Sequence, residues 1–163
     1  MNKNSIYPNF SSLFRHRPKA YAFINGSSNF SSIAGTVRFY QSNVGVIVVT
    51  ELTGLPISSD NCKSPIFAFH IHEGGECSGN SEDRFSKTRG HYNPHSCRHP
   101  YHAGDMPLIF SAGGYAFLTF LTDRFNVEEI VGRTVVIHGS PDDFHTQPSG
   151  AAGEKIACGV IVE

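Results

Sequence analysis

The 163-residue sequence lacks any hydrophobic run long enough to span a bilayer. Its apolar stretches, such as that around Val46–Val49, run to only about six or seven residues, against the ~18 that a membrane helix requires. It also lacks a charge surplus: 13 Lys and Arg stand against 14 Asp and Glu, a formal net charge of −1. No Lys/Arg stripe marks a sequence-independent grip on nucleic acid. There is no Cys-x-x-Cys pair, which removes zinc ribbons and thioredoxin-type redox sites. The first 20 residues carry no apolar stretch of the secretory-signal kind. These absences set the expectation of one soluble domain with neither membrane nor nucleic acid as partner. Its compartment reads as cytoplasmic, or as periplasmic or extracellular if a leader has been removed.

What is present is short and β-rich. Polar residues 1–18, closed by Pro18, read as an N-terminal arm and residues 19–163 as the domain. From Ala20 onward, strand-forming runs alternate with Gly, Asn, Ser and Pro clusters: Ala20–Asn25, Gly35–Tyr40, Val44–Leu52, Pro65–His72, Gly114–Thr122, Thr134–His138 and Lys155–Val162. Within Gly35–Tyr40, Val37, Arg38 and Phe39 alternate with the period of two of a half-buried strand. Only Asn126–Gly132 has the composition for a turn or two of helix. Many short strands, regular turn signals and no long amphipathic helix predict an all-β fold, an antiparallel sandwich or barrel. The exception is Glu73 to Pro107, polar and without apolar periodicity. Too few apolar side chains lie in it to offset its ordering entropy, so its histidines and Cys77 are the candidate staples.

One residue type is over-supplied. Of nine histidines, six (His70, His72, His91, His95, His99 and His102) fall within 33 residues, and imidazole is the commonest metal ligand. In Phe69-His70-Ile71-His72 the two imidazoles stand at i and i+2 of a strand, on one face, where they can chelate one ion; alone, such a pair is equally a polar edge. Beyond it, His91, His99, His102 and Asp105 offer three nitrogens and a carboxylate, the closed four-ligand set of structural zinc, with His95 left as a surface residue. His138 closes the apolar run Val135-Val136-Ile137, a place where a lone histidine is more often an ordinary core or edge residue. Beside His70 and His72 it completes an all-imidazole set suited to copper, zinc, iron or nickel. Four cysteines, Cys62, Cys77, Cys97 and Cys158, allow two disulfides in three connectivities. A stable disulfide calls for an oxidising compartment, in tension with the missing leader.

Five segments stand in one order: Phe69-His70-Ile71-His72-Glu73, Gly90-His91-Tyr92-Asn93-Pro94, His102-Ala103-Gly104-Asp105, Gly132-Arg133-Thr134-Val135-Val136-Ile137-His138 and Ala157-Cys158-Gly159-Val160-Ile161. In them the chain, from about Lys19 to its end, resembles the bacterial-type copper/zinc superoxide dismutases. The resemblance implies an immunoglobulin-like Greek-key sandwich or flattened barrel with long metal-binding and electrostatic loops. It implies copper on His70, His72, His91 and His138, and zinc on His91, His99, His102 and Asp105, with His91 bridging the two as an imidazolate. Copper would alternate between Cu(II) and Cu(I), oxidising one superoxide to oxygen and reducing the next to peroxide, and His91 would deliver a proton to the peroxide. Asp142 matches an aspartate that hydrogen-bonds one copper and one zinc histidine, here His70 and His99. Cys77 and Cys158 match an intrasubunit disulfide that ties the long loop to the last strand. Cys62 and Cys97 have no counterpart and either pair or stay free, free being preferred.

The departures concern the substrate. Lys155 stands where the family has an arginine that guides and docks superoxide beside copper; lysine keeps the charge but loses the planar fork. Glu154, before it, lowers the local potential, so steering and turnover below the family's best are expected. Ala68 replaces a common glycine, and the stretch between His99 and His102 is short. The segment from His138 to Cys158 is abbreviated, leaving a more open channel with His145 near its mouth. The expected function is superoxide dismutation, with superoxide as substrate and a copper donor protein as a candidate partner; a monomer and a homodimer both fit. The alternative is a copper/zinc-binding protein of the same fold that stores or transfers metal with little turnover. A cupin-like jelly roll, suggested by His70-x-His72-x-x-x-Glu76, lacks the later Gly/Pro/His pattern.

Overall fold

The computed structural model describes residues 15–60 and 65–163. Most of the N-terminal arm, and Cys62 with its question of pairing, lie outside the described residues. Within them the strand-forming runs become β1 (Ala20–Gly26), β2 (Ala34–Ser42), β3 (Gly45–Thr53), β4 (Ile66–Phe67), β5 (Phe69–His72), β6 (Ile109–Phe110), β7 (Ala116–Thr122), β8 (Thr134–His138) and β9 (Lys155–Val162). Seven of them form one antiparallel sheet in the order β5-β8-β9-β1-β2-β3-β7, and β4 pairs with β6. After β3 the chain crosses the sheet to reach β5 at its far end, the long return of a Greek key.

Alternation along the strands turns one face inward. Val37 and Phe39 of β2, Val46 and Val48 of β3, and Ala157 and Ile161 of β9 are fully buried in one core. Phe69 and Phe120 lie on β5 and β7, the opposite ends of the sheet, yet their rings meet edge to face at 6.5 Å. The sheet therefore curls until its two ends enclose the core, and the expectation of an all-β sandwich holds. The large aromatic and aliphatic side chains sealed inside, Phe39, Phe67, Phe69, Ile71 and Ile137 among them, each contribute about 1.5–3 kcal/mol by leaving water.

Two local differences from the sequence reading have physical causes. Pro65–His72 is not one strand but two, because at Ala68 the chain changes partners. Ala68 N donates to Ser140 O (2.9 Å) and its carbonyl accepts from His138 N (3.0 Å), which moves the pairing from β6 to β8. β6 itself is two residues long and leaves no periodicity to read. The Asn126–Gly132 helix is real but short: α1 (Val127–Ile130) starts on a reciprocal cap between Asn126 and Glu129 and ends before Gly132, whose φ is +82°.

The outer edge of β5 is covered by the polar segment rather than by a strand. Tyr92 N donates to Ile71 O (2.8 Å), Ile71 N to Gly104 O (2.9 Å) and Gly104 N to Tyr92 O (2.9 Å). Such close approach demands a glycine, since a Cβ on Gly104 would lie 2.2 Å from the Ile71 carbonyl oxygen. Arg133 holds the same segment from below. It donates to Glu73 O (3.2 Å) and Glu129 O (2.9 Å), and its guanidinium lies 4.0 Å from the centre of the Tyr92 ring. Cys77 and Cys158 form a disulfide across a sequence separation of 81, with Cα atoms 5.6 Å apart, and so fasten the loop to β9. Replacing both cysteines with serine is expected to lower the unfolding free energy by about 2–5 kcal/mol in urea melts at neutral pH; a loss under ~1 kcal/mol would show that the loop is held without the bridge.

Candidate metal centre

Phe69 and Ile71 of β5 face the core, so period-two geometry turns His70 and His72 the other way, beneath the loop that covers the edge. All four residues are buried. Antiparallel β8 runs beside them, with His70 opposite Val136 and Phe69 opposite Ile137, and brings His138 to the same end. The covering loop then adds His91 opposite His72 and Asp105 opposite His70.

The ring nitrogens are sorted by what ties their far sides. His72 Nδ1 donates to Arg89 O (2.8 Å) and His138 Nδ1 to Gly153 O (3.2 Å). Each ring is thereby left with an unprotonated Nε2, and these two nitrogens face each other at 3.2 Å. Two lone pairs so placed repel unless a cation lies between them. His70 binds Asp142 Oδ2 through Nε2 at 2.7 Å, leaving its buried Nδ1 with no hydrogen-bond partner, and His91 Nε2 is equally unpartnered. Donor atoms of His70, His72, His91 and His138 all lie within 4.8 Å of one another.

A second set forms on the other side of the His91 ring. His91 Nδ1 is 2.7 Å from Asp105 Oδ1 and 3.4 Å from His102 Nδ1. His99 Nδ1 approaches Asp105 Oδ2 at 3.1 Å without hydrogen-bond geometry, while its Nε2 bonds Asp142 Oδ1 at 2.9 Å. Donors of His91, His99, His102 and Asp105 again fall within 4.8 Å. Buried polar atoms are normally satisfied, so three orphaned imidazole nitrogens in one pocket, on His70, His91 and His99, fit metal ions. Four imidazoles suit copper; three with a carboxylate suit zinc.

Asp142, itself buried, joins the sets through one oxygen each and also accepts from Phe144 N at 2.7 Å. The loop closing over it needs Gly150 at φ +68°, where a Cβ would sit 1.9 Å from Asp142 Oδ1 and 2.8 Å from His99 Nε2. Burial pushes the His70 pKa down to about 4 and that of His138 down to about 3, and it holds His72 well below its ordinary value. His102 is lowered by the same cause. For Asp142, burial works upward but is outweighed by hydrogen bonds from His70, Phe144 N and His99, so its carboxyl is held below the usual range. Asp105 is likewise lowered, its burial outweighed by His91 and the other imidazoles. The lowered imidazoles are neutral at pH 7 and have no proton to surrender on binding a cation.

A cleft of about 570 Å³ reaches the first set, lined by His72, His91, His138, Arg89, Arg98 and Lys155 among others. Lys155 is at this rim, but its ammonium turns toward Asp83 Oδ2 (2.7 Å) and Phe85 O (3.2 Å). Asp83 was not legible as a site residue. It sits in an Asn80 turn within the segment that lacks periodicity, where Asn80 Oδ1 accepts from Glu82 N and Asp83 N, each at 2.9 Å. The carbonyls of Arg89 and Gly153 left no sequence signal either, being backbone groups. Glu154 and His95 are exposed, Cys97 is a free exposed thiol, and the His145 side chain is in solvent, its Nδ1 on Asp143 O.

Two donor sets that share one imidazole, on the covered edge of a curled antiparallel sandwich, define a protein built to hold two metal ions. The family described as copper/zinc superoxide dismutase (SODC) matches residues 33–161. Superoxide dismutase [Cu-Zn] 2 of Aquifex aeolicus (strain VF5) is 33% identical over 144 residues, 79% of each chain. Superoxide dismutase [Cu-Zn] of Photobacterium leiognathi is 32% identical over 141 residues, 78% of each. Among solved structures, a double mutant of a SOD-like protein from Bacillus subtilis superposes with a TM-score of 0.69 at 25% identity, covering 88% of this chain and 97% of that one. The chain belongs to the copper/zinc superoxide dismutase family, and its donor sets fit both metals.

The lowered imidazole pKa values carry a stability consequence. Unfolded histidines titrate near ~6.5, so as the pH falls the unfolded chain takes up protons before the folded one does. Stability held above pH ~6.5 is then lost progressively toward the folded values of about 4 for His70 and about 3 for His138. Thermal melts of the metal-free protein are expected to fall steadily between pH 7 and pH ~4.5, and a flat profile over that range would contradict a burial-driven shift.

Proposed function

We propose that this protein is a superoxide dismutase that converts superoxide into oxygen and hydrogen peroxide. Copper is held by His70, His72, His91 and His138, and zinc by His91, His99, His102 and Asp105. One observation carries the reading: a single buried imidazole, His91, serves two donor sets. Bound copper supplies reversible one-electron chemistry, which two superoxide ions in succession require. The remaining work belongs to the chain. The Arg89 and Gly153 carbonyls fix the tautomers of His72 and His138, and Asp142 does the same for His70 and His99. His91 can carry a proton at Nε2, on the side of the first set, where a reduced oxygen species needs one. The four protein donors of the second set leave no open position, as befits a structural ion. The first set lines the open cleft and admits a small anion.

A second reading, a copper/zinc-binding relative with little turnover, is favoured by one feature. The Lys155 charge that would attract the anion is paired with Asp83 at 2.7 Å.

The decisive measurement is the decay of superoxide absorbance with protein reconstituted with one copper and one zinc per chain. Decay far faster than with a copper-free control, and slowed by salt, is expected; equal decay with both metals bound would leave the second reading. His138→Ala is expected to abolish turnover while zinc stays bound. Asp83→Asn should free Lys155 and raise the low-salt rate by up to about tenfold with a steeper salt dependence; unchanged rate and slope would mean that Lys155 does not act on the anion.

A further inference from the structure

The loop from His99 to Asp105 supplies three of the four donors of the second set, and it reaches the sheet through Ala103, which packs in the core, and Gly104, which bonds Ile71 and Tyr92. Its short turn is closed by His102 N donating to Asp105 Oδ2 (3.0 Å) and Asp105 N donating to His102 O (3.2 Å). On the sheet side of this turn three backbone carbonyls converge on one point. Arg124 Nη1 occupies it, at 3.0 Å from Pro100 O, 3.2 Å from His102 O and 3.1 Å from Asp105 O. Three carbonyl dipoles aimed at one atom make a site that only a donor, and best a cationic one, can fill. The contacts fall on the carbonyls of His102 and Asp105 themselves, and on the residue that follows His99.

The residue that carries the guanidinium is held by its chain neighbours. Arg124 lies two residues past the end of β7 and precedes Phe125, which is buried and packs its ring edge-on against Phe39 at 6.4 Å. Arg124 N also donates to Thr122 Oγ1 at 3.3 Å, closing the turn after the strand. None of the motifs that mark the donor sets includes residue 124, and the hydrogen bonds of its guanidinium go to backbone carbonyls rather than to an imidazole or carboxylate of either set.

We propose that Arg124 is the positioning residue of the second donor set: its guanidinium transmits the rigidity of β7 and the core to the turn that aims His99, His102 and Asp105 at one ion. The inference rests on the zinc reading of that set and extends it to a residue that is not a ligand. Arg124→Met keeps the stem and removes the donors; Arg124→Lys keeps charge and donors but not the reach and shape of the fork.

The test uses the full chain with Zn²⁺ and with Co²⁺ as a visible probe of tetrahedral geometry. Arg124→Met is expected to weaken Zn²⁺ retention against a chromogenic chelator by about tenfold or more. It should also weaken and broaden the Co²⁺ d–d bands, leave Cu²⁺ uptake within about twofold of wild type, and be partly rescued in Arg124→Lys. An Arg124→Met protein with wild-type Zn²⁺ retention and Co²⁺ bands would overturn the proposal alone. Parallel loss of Cu²⁺, Zn²⁺ and melting temperature would also overturn it, showing a general structural role. Wild-type protein that gives no tetrahedral Co²⁺ spectrum would overturn the zinc reading and the proposal together.

Discussion

The buried carboxylate of Asp142 is the contact on which the centre depends. It lies where the loop after β8 folds back, and it spends one oxygen on His70 at the sheet edge and the other on His99 in the covering loop. A carboxylate in that position would be costly without donors. Two imidazole N–H groups and a backbone N–H satisfy it, and in satisfying it they surrender their freedom to rotate. Each imidazole then presents its opposite nitrogen inward. Tautomer, ring plane and the spacing between the two donor sets are thus set by one side chain, and Gly150 leaves room for it. The two sets are accordingly one construction: whatever displaces Asp142 misaims a donor in each.

Much of this was legible in the sequence, for reasons that differ from residue to residue. The strands could be read because alternation and turn chemistry are local. β8 and β9 coincide with the runs read in the sequence, and β1, β2, β3 and β7 differ from theirs by a residue or two at the ends. The His70–His72 pair declared its common face through the strand period, and His138 could be joined to it once the motif order was recognised. What could not be read was pairing by backbone. Nothing in Arg89 or Gly153 announces that its carbonyl will lock an imidazole, and nothing in Ala68 announces a change of strand partner. Asp83 and Arg124 escaped for a related reason: both act over long sequence separations, from turns whose composition is that of any turn.

Charge at the cleft follows the same logic. Composition shows a near-neutral chain, and position places Lys155 where a guiding cation belongs. Only the fold shows that the ammonium is met by Asp83 and the Phe85 carbonyl, while Arg89 and Arg98 stand on the same cleft with their side chains in solvent. The field that an approaching anion meets is a property of these neighbours together rather than of the residue that matches the motif. Because Asp83 and Phe85 sit in the loop fastened to β9 by Cys77–Cys158, the same bridge that orders the loop also fixes the partner of Lys155.

The covering of β5 has a consequence outside chemistry. An edge strand with unpaired amides and carbonyls is a template on which another chain can grow. Here the backbone groups of Ile71 that face away from β8 are taken by Tyr92 and Gly104, residues of the very loop whose donors aim at the second set. The loop that carries these donors is therefore also a guard on the sheet. The seating of this loop and resistance to self-association become one property of the fold, since a loop drawn off β5 would uncover a strand edge along which copies of the chain can join.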